Sequence, residues 1–161
     1  MARDVSKAYV LRPMQEADLR QVLHIERRSF TIPWSDATFR GLLRRQSTAL
    51  LVAERAGKIV GYAVLWFAAD EAELGDMAVL PEVRRRGLGR WLLDGALAEA
   101  AHRGAKRVYL EVRESNAAAR SLYERAGFEV AGVRPDYYSE PKEDAILMTR
   151  SLETDGGRGP R

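Results

Sequence analysis

Helical periodicity of apolar residues accounts for four segments of the chain. Apolar positions from Leu19 onward lie on one face of a first helix. Ser35 or Asp36 begins a second, because a short oxygen-bearing side chain caps exposed backbone N–H groups. Two further helices are predicted over residues 87–102 and 116–126, and a glycine closely follows each of them, as is common where helices end.

Apolar stretches between these helices predict strands. The best defined is 107–113, in which three aliphatic side chains face one side and Tyr109, Glu111 and Arg113 face the other. Gly57 indicates a hairpin, because glycine accepts the positive φ that tight turns require. The predicted strands cover 8–13, 49–54, 59–67, 73–80, 107–113, 128–133 and 145–151. Together the segments predict one mixed α/β domain without an internal repeat.

The composition is typical of a soluble globular protein, since 46% of the 161 residues are hydrophobic and 30% are charged. We place one domain over 1–152 and expect a disordered, glycine-rich tail over 153–161. No apolar run reaches the roughly 20 residues of a membrane span, and no secretory signal is visible, so we expect a cytoplasmic protein without membrane contact. The absence of cysteine excludes disulfides, thiolate metal sites and a cysteine nucleophile.

A basic loop with two glycines precedes the helix that starts near residue 87. A helix start presents unpaired N–H groups and about half a positive charge, and glycines let a phosphate approach the backbone. A solvated basic loop and a nucleic-acid patch are the alternatives, and the net charge of +3 does not distinguish them. The glycine spacing matches neither a Rossmann fingerprint nor a Walker loop. The predicted anion site consists of Arg84, Arg85, Arg86, Gly87, Leu88, Gly89 and Arg90.

Two motifs in a fixed order make the interpretation more specific. Arg84-x-x-Gly87-x-Gly89 resembles the acetyl-CoA pyrophosphate motif of the GNAT superfamily of N-acetyltransferases, and the segment 110–128 resembles that family's second signature. The resemblance extends from about Tyr9 to Leu152. It implies an acetyl-CoA-dependent enzyme with the GNAT fold, a central mixed, mostly antiparallel sheet of about seven strands flanked by about four helices.

The resemblance also implies roles for single residues. Glu111 is the expected base that takes the proton of the amine, and Tyr123 is the expected acid that protonates the leaving sulfur of coenzyme A. The strand before the basic loop is expected to part from strand 107–113, leaving a slot where the pantetheine arm binds like an extra strand. Direct attack in a ternary complex is expected. Four further residues are expected to contact the cofactor: Met77, Ala78, Val79 and Asn116.

Within the superfamily, segments 30–35, 137–138 and 143–148 resemble enzymes that acetylate the N-terminal alanine of a small-subunit ribosomal protein. An α-amino group titrates at about 7.7–8.0 and lysine at about 10.4, so a weak carboxylate base suffices for a protein N-terminus. Gly75-Asp76 departs from relatives, which tend to carry a bulkier residue followed by asparagine, and leaves the substrate preference open. The implied peptide groove has walls from Ile32, Pro33, Trp34, Tyr137 and Tyr138. Four acidic residues are expected to attract a basic peptide: Asp136, Glu140, Glu143 and Asp144.

Several alternatives stay open at the level of sequence. Glu111 is also explained as a solvent-facing glutamate or as an ion-pair partner of Arg113, Tyr123 as a core aromatic and Asn116 as a helix-start residue. The acceptor is alternatively a small amine such as a polyamine, an amino acid or an aminoglycoside. A non-catalytic module that binds coenzyme A or RNA is the alternative from another class.

The remaining expectations concern partners. His24 and His102 have no carboxylates at matching spacing, so we predict no metal site. We expect a monomer that does not read nucleic acid directly. Removal of Met1 would expose an Ala2-Arg3 terminus, and self-acetylation at Ala2 is a further hypothesis.

Overall fold

The computed structural model describes residues 8–84 and 87–152, which form one seven-stranded sheet covered by helices on both faces. The strands are β1 (Val10–Pro13), β2 (Thr48–Arg55), β3 (Lys58–Ala68), β4 (Glu71–Val79), β5 (Arg107–Arg113), β6 (Glu129–Ser139) and β7 (Lys142–Ser151). The helices are α1 (Leu19–Ser29), α2 (Asp36–Leu43), α3 (Leu88–His102) and α4 (Ala117–Arg125), with short 3-10 turns at Glu16–Asp18 and Pro81–Val83.

The strand order is β1-β2-β3-β4-β5-β7-β6, and every neighbouring pair is antiparallel except the parallel pair β4–β5. The predicted fold class, a mostly antiparallel seven-stranded sheet with four helices, is confirmed. The proposed limit at residue 152 stays a prediction, because the tail 153–161 lies outside the described residues. In the part of the chain that the structure describes, no helix is long and apolar enough to cross a bilayer.

Successive residues of β3 show how the helices divide between the two faces. Tyr62 packs against Phe39 of α2 and hydrogen-bonds to Glu26 of α1. A Cβ on the neighbouring Gly61 would instead lie 3.3 Å from Leu92 of α3. Because adjacent strand residues point to opposite faces, α1 and α2 cover one face and α3 the other. Burial on both faces explains why β2 and β3 are continuously apolar instead of alternating.

Turn and cap residues confirm most of the predicted boundaries. In the β2–β3 hairpin both central residues have positive φ, 50° at Ala56 and 81° at Gly57, as the tight turn requires. Ser35, and not Asp36, caps α2 by accepting the Thr38 N–H at 3.1 Å. Gly127 follows α4 with a φ of 93°, which ends that helix.

The last two strands are longer than predicted. β6 runs on to Ser139 and β7 begins at Lys142, so the tyrosines at 137 and 138 belong to a strand and not to a hairpin loop. The pairing of β6 with β7 is irregular between Arg134 and Tyr138, and Asp136 has a φ of 52°. A bulge of this kind breaks the alternation by which a strand is recognised in sequence.

Candidate active site

The parallel strands β4 and β5 separate after a short paired stretch. They pair only at Glu71, Ala72 and Glu73 of β4, and no later residue of β4 has a β5 partner among the described residues. Gly75 is an extra residue in β4, because Leu65 pairs with Leu74 while Val64 pairs with Asp76. A bulge bends its strand. The structure therefore contains the predicted slot, and along one side of it the backbone of β4 has no β5 partner among the described residues.

A cavity of about 470 Å³ opens at this slot. It collects eight of the residues predicted to form the site: Ile32, Trp34, Met77, Glu111, Asn116, Tyr123, Tyr137 and Tyr138. Pro33, Ala78 and Val79 are not part of its lining, and neither are the described residues of the predicted anion site, Arg84 and Gly87 to Arg90. A larger concavity of about 620 Å³ beside α1 contains none of the predicted site residues.

Glu111 projects from β5 into the cavity with a largely buried carboxyl group. Its Oε1 lies 3.4 Å from Nε of Arg134, and its side chain is 11% exposed. Its Oε2 is buried and has no hydrogen-bond partner among the described residues. Arg113, the alternative ion-pair partner, instead lies 3.4 Å from Glu143 and stacks over the ring of Tyr138. One carboxyl oxygen of Glu111 is thus placed to accept a hydrogen bond from a ligand.

Tyr123 lines the same cavity from α4, and its ring lies 5.8 Å from that of Phe128 at the edge of the core. Tyr123 therefore packs as a core aromatic residue and also lies where a proton donor to the cavity would have to be. Burial is the main cause of a raised pKa for Tyr123. The phenol accordingly keeps its proton at neutral pH, as a hydrogen-bond donor must.

Asn116 has a clear local function at the start of α4. Its Oδ1 accepts the N–H of Ala119 at 3.2 Å, which caps the helix. The helix-cap interpretation therefore describes its side chain, although the residue also lines the cavity. Its contact with the cofactor stays a prediction.

The start of α3 has the geometry expected of an anion site. Gly87 caps the helix with a φ of 81°, and the first helical hydrogen bond runs from the Trp91 N–H to its carbonyl. The N–H groups of residues 88–90 precede that bond and have no partner within the helix. A Cβ on Gly89 would meet nothing closer than Leu122 at 3.7 Å, whereas the Leu88 side chain is buried. These residues thus offer backbone donors.

The arginines around this helix start are engaged elsewhere. Arg84 donates from Nε to the Val79 carbonyl at 3.0 Å, and Arg90 forms an ion pair with Asp94 at 3.0 Å. Arg90 also donates to the Arg125 carbonyl at 3.2 Å, which ties α3 to the end of α4. The predicted residues Arg85 and Arg86 lie outside the described residues. Phosphate contacts by these four arginines stay predictions.

The aromatic wall of the cavity contains a residue that no motif indicated. Trp34 stacks on Trp66 with ring centres 6.0 Å apart, and both line the cavity. The Trp66 ring lies directly on Gly75, where an added Cβ would be 2.1 Å from a ring carbon. A glycine inside a strand often marks such a close approach, so Gly75 was the available signal.

Carboxyl groups of the cavity are also different from those expected. Glu26, Glu73 and Asp76 line it, whereas the four predicted acidic residues do not. Glu143 forms an ion pair with Arg113 and does not line the cavity. Asp144 accepts a hydrogen bond from the backbone N–H of Asp136 at 2.8 Å. The signal for Glu26 was its place on the apolar face of the first helix.

The seven-stranded sheet, with a cavity where β4 and β5 separate, has the architecture that the family resemblance implied. Residues 19–128 match the model of the acetyltransferase (GNAT) family. The chain belongs to that family.

The chain is also similar over most of its length to a ribosomal-protein N-acetyltransferase. The ribosomal protein bS18-alanine N-acetyltransferase of Escherichia coli (strain K12) is 39% identical over 137 residues, which are 84% of this chain and 92% of that protein. A crystal structure of the Escherichia coli enzyme superposes with a TM-score of 0.83 at 37% identity and covers 89% of this chain and 94% of its own. Ard1 from Thermoplasma volcanium gives a TM-score of 0.84 at 30% identity, covering 90% and 98% of the two chains.

Proposed function

We propose that this chain transfers the acetyl group of acetyl-CoA to the N-terminal α-amino group of a protein, and that the acceptor is the N-terminal alanine of a small-subunit ribosomal protein. The observation that carries this proposal is the similarity to the bS18-alanine N-acetyltransferase over nearly the whole length of both chains. A ribosomal-protein acceptor would place the reaction in the cytoplasm.

The residues of the slot fit the carrier. Backbone groups of β4 that have no β5 partner among the described residues would hydrogen-bond the pantetheine amides as a neighbouring strand does. The free N–H groups at the start of α3 would bind the diphosphate, with Gly87 and Gly89 leaving room for it. A backbone N–H of residues 77–79 would donate to the thioester oxygen and stabilise the negative charge that develops there.

The transfer needs two proton movements, for which the cavity offers two groups. The amine nitrogen attacks the thioester carbonyl carbon, and Glu111 accepts the proton that the nitrogen loses, directly or through water. The carbon–sulfur bond then breaks, and Tyr123 gives its phenolic proton to the leaving thiolate and regains one from solvent. We expect direct transfer in a ternary complex, because no residue of the site demands an acetyl-enzyme intermediate.

The cavity also fits an ammonium terminus better than an anion. Glu26, Glu73 and Glu111 line it, and Arg113 is the one cation of its described lining. Aromatic rings of Trp34 and Trp66 form the adjoining wall. Such a surface attracts a cationic amine before it loses its proton.

The test is a panel of acceptors incubated with acetyl-CoA and analysed by mass spectrometry. It comprises an alanine-initiated peptide from a small-subunit ribosomal protein, the same peptide with a blocked N-terminus and an internal lysine, and free amines such as a polyamine and an aminoglycoside. We expect one acetyl group on the α-amine of the first peptide only. Preference for the free amines would refute the proposed acceptor, and no transfer to any acceptor would refute the enzyme assignment of this chain.

A further inference from the structure

Two carboxyl groups from different elements meet at the floor of the cavity. Glu26 of α1 is 1% exposed and Asp76 of β4 is 8% exposed, and the two are within hydrogen-bonding reach of each other. Two adjacent carboxylates in a buried site repel each other and both lose their hydration. One proton shared by the pair removes that repulsion.

The surrounding donors indicate which carboxyl carries the proton. Glu26 already accepts two hydrogen bonds, from the Trp34 N–H at 2.8 Å and from the Tyr62 hydroxyl. Oδ2 of Asp76 is buried and has no hydrogen-bond donor among the described residues. An ionised Asp76 would leave that oxygen unsatisfied, which is costly in a buried site. A protonated Asp76 is itself a donor, and Glu26 is the acceptor beside it.

We propose that Asp76 acts as a neutral carboxylic acid whose proton holds Glu26 in place, and that it is a positioning residue of the acceptor groove. Through Glu26 it connects β4, which borders the cofactor slot, to the backbone of Trp34 in the groove wall. This role in binding the acceptor rests on the proposed function. The protonation of Asp76 does not depend on it.

The groups that face the pair supply no competing positive charge. They are the phenols of Tyr62 on β3 and Tyr123 on α4. The other titratable or charged residues that line the cavity are Glu73 of β4, Glu111 and Arg113 of β5, and Tyr137 and Tyr138 of β6. Arg113 is already paired with Glu143. In agreement, burial raises the pKa of Asp76 to about 10, its hydrogen bond with Glu26 adds to the shift, and the smaller effect of a hydrogen bond from the Met77 N–H opposes it.

The first test measures the protonation by comparing urea unfolding of the wild type and the Asp76→Asn variant between about pH 5 and about pH 9. Asp76 has an ordinary pKa of 3.8 and a folded-state pKa of about 10. A raised folded-state pKa gives stability that is complete below the unfolded-state value and is lost as pH rises to the folded-state value. We therefore expect the folding equilibrium constant of the wild type to fall relative to the variant by up to about tenfold per pH unit.

Asp70→Asn is the matched control, because Asp70 is exposed in the turn before β4. It should keep the pH dependence of the wild type. Parallel curves for the wild type and Asp76→Asn would overturn the proposal, since an ionised Asp76 has no such slope. This result does not require any catalysis, so it is independent of the proposed acceptor.

The second test measures positioning by steady-state kinetics at neutral pH. Asp76→Ala removes the donor and should raise KM for the alanine-initiated peptide by about tenfold, the loss expected for a hydrogen bond to a charged group. Asp76→Asn, whose amide donates in the same place, should stay within about twofold of the wild type. The Kd of acetyl-CoA should be unchanged in both. Equal peptide KM values in the two variants, or an equal loss of acetyl-CoA binding, would overturn the positioning role.

Discussion

The contact between Gly75 and Trp66 makes a quantitative prediction about how the groove wall is built. In the Gly75→Ala variant the new Cβ would lie 2.1, 2.2 and 2.8 Å from three carbons of the Trp66 ring. The ring would have to move and would lose its stack on Trp34. Gly75 does not have a positive φ, so the backbone alone tolerates alanine. The expected destabilisation, about 1–3 kcal/mol, is thus that of overpacking.

A double-mutant cycle isolates this contact. In a Trp66→Leu background the obstructing ring is gone, and Gly75→Ala should become neutral or slightly stabilising, because glycine in a strand costs about 0.5–1 kcal/mol relative to alanine. The coupling energy between the two positions, the difference between these two effects, should therefore be about 1–4 kcal/mol. The measurement is urea unfolding of the four proteins at one pH, with the midpoint and slope fitted for each.

Gly41→Ala is the matched control, because a Cβ at this helical position meets nothing within 4 Å. It should stabilise the protein by about 0.5–1 kcal/mol. Additive effects of Gly75→Ala and Trp66→Leu, within about 0.5 kcal/mol, would refute the idea that Gly75 is present because Trp66 covers it.

Three further predictions concern catalysis, cofactor binding and acid stability. Glu111→Gln and Tyr123→Phe should each lower kcat by about 10²–10⁴-fold, as measured by thiol release, while acetyl-CoA affinity measured by calorimetry is unchanged. Gly87→Glu should abolish the calorimetric signal of acetyl-CoA, because it puts a negative side chain at the positive end of α3 and at a φ of 81°. The hydrogen bonds that Arg12 donates to Asp18, both 2.8 Å long, hold the pKa of Asp18 below its ordinary 3.8, so Asp18→Asn should reduce the loss of stability on acidification below about pH 4 in urea unfolding.

Each of these predictions has an outcome that contradicts it. Unchanged turnover in both the Glu111 and Tyr123 variants would reject their proton-transfer roles. Gly104→Glu introduces the same side chain at a φ of 87° just beyond the other end of α3, so equal loss of binding there would show that strain, not charge at the helix start, is responsible. For Asp18 the sign is opposite to that of Asp76: a lowered pKa gives stability that is present above pH 4 and lost below it. Identical acid unfolding of the wild type and Asp18→Asn would contradict this role of Asp18.

Elements defined by local pattern were predictable from the sequence. β5 was predicted over 107–113 and is observed as Arg107–Arg113, because its aliphatic residues alternate strictly with residues of the opposite face. Two other predicted features are likewise local. Gly127 ends α4 through its own positive φ, and Ser35 caps α2 through its own hydroxyl group. The far end of β6 was missed because Pro135 and the positive φ of Asp136 interrupt its alternation.

Features that depend on contacts between distant residues were not predictable. Arg134 of β6 is the ion-pair partner of Glu111, although Arg113 is only two residues away from Glu111, because Arg113 pairs with Glu143 and Arg134 reaches Glu111 across the intervening strand β7. Glu26 and Asp76, which share a proton in our proposal, are fifty positions apart in the sequence. Neither residue by itself differs in the sequence from any other acidic residue. Only the packing of α1 on β3 and β4 brings them together.

A single irregularity in β4 connects the three parts of the candidate site. The extra residue at Gly75 lies two positions after Glu73, the last residue of β4 that pairs with β5, and a bulge at this place bends the strand where the slot begins. The missing side chain at the same position admits the Trp66 ring that forms the groove wall. The next residue, Asp76, then contacts Glu26 beneath that wall. The slot, the groove wall and the carboxyl pair therefore all depend on this bulge, and a deletion of Gly75 should weaken cofactor binding and acceptor binding together. Gly75→Ala keeps the extra residue and displaces only the Trp66 ring, so it should weaken acceptor binding more than cofactor binding.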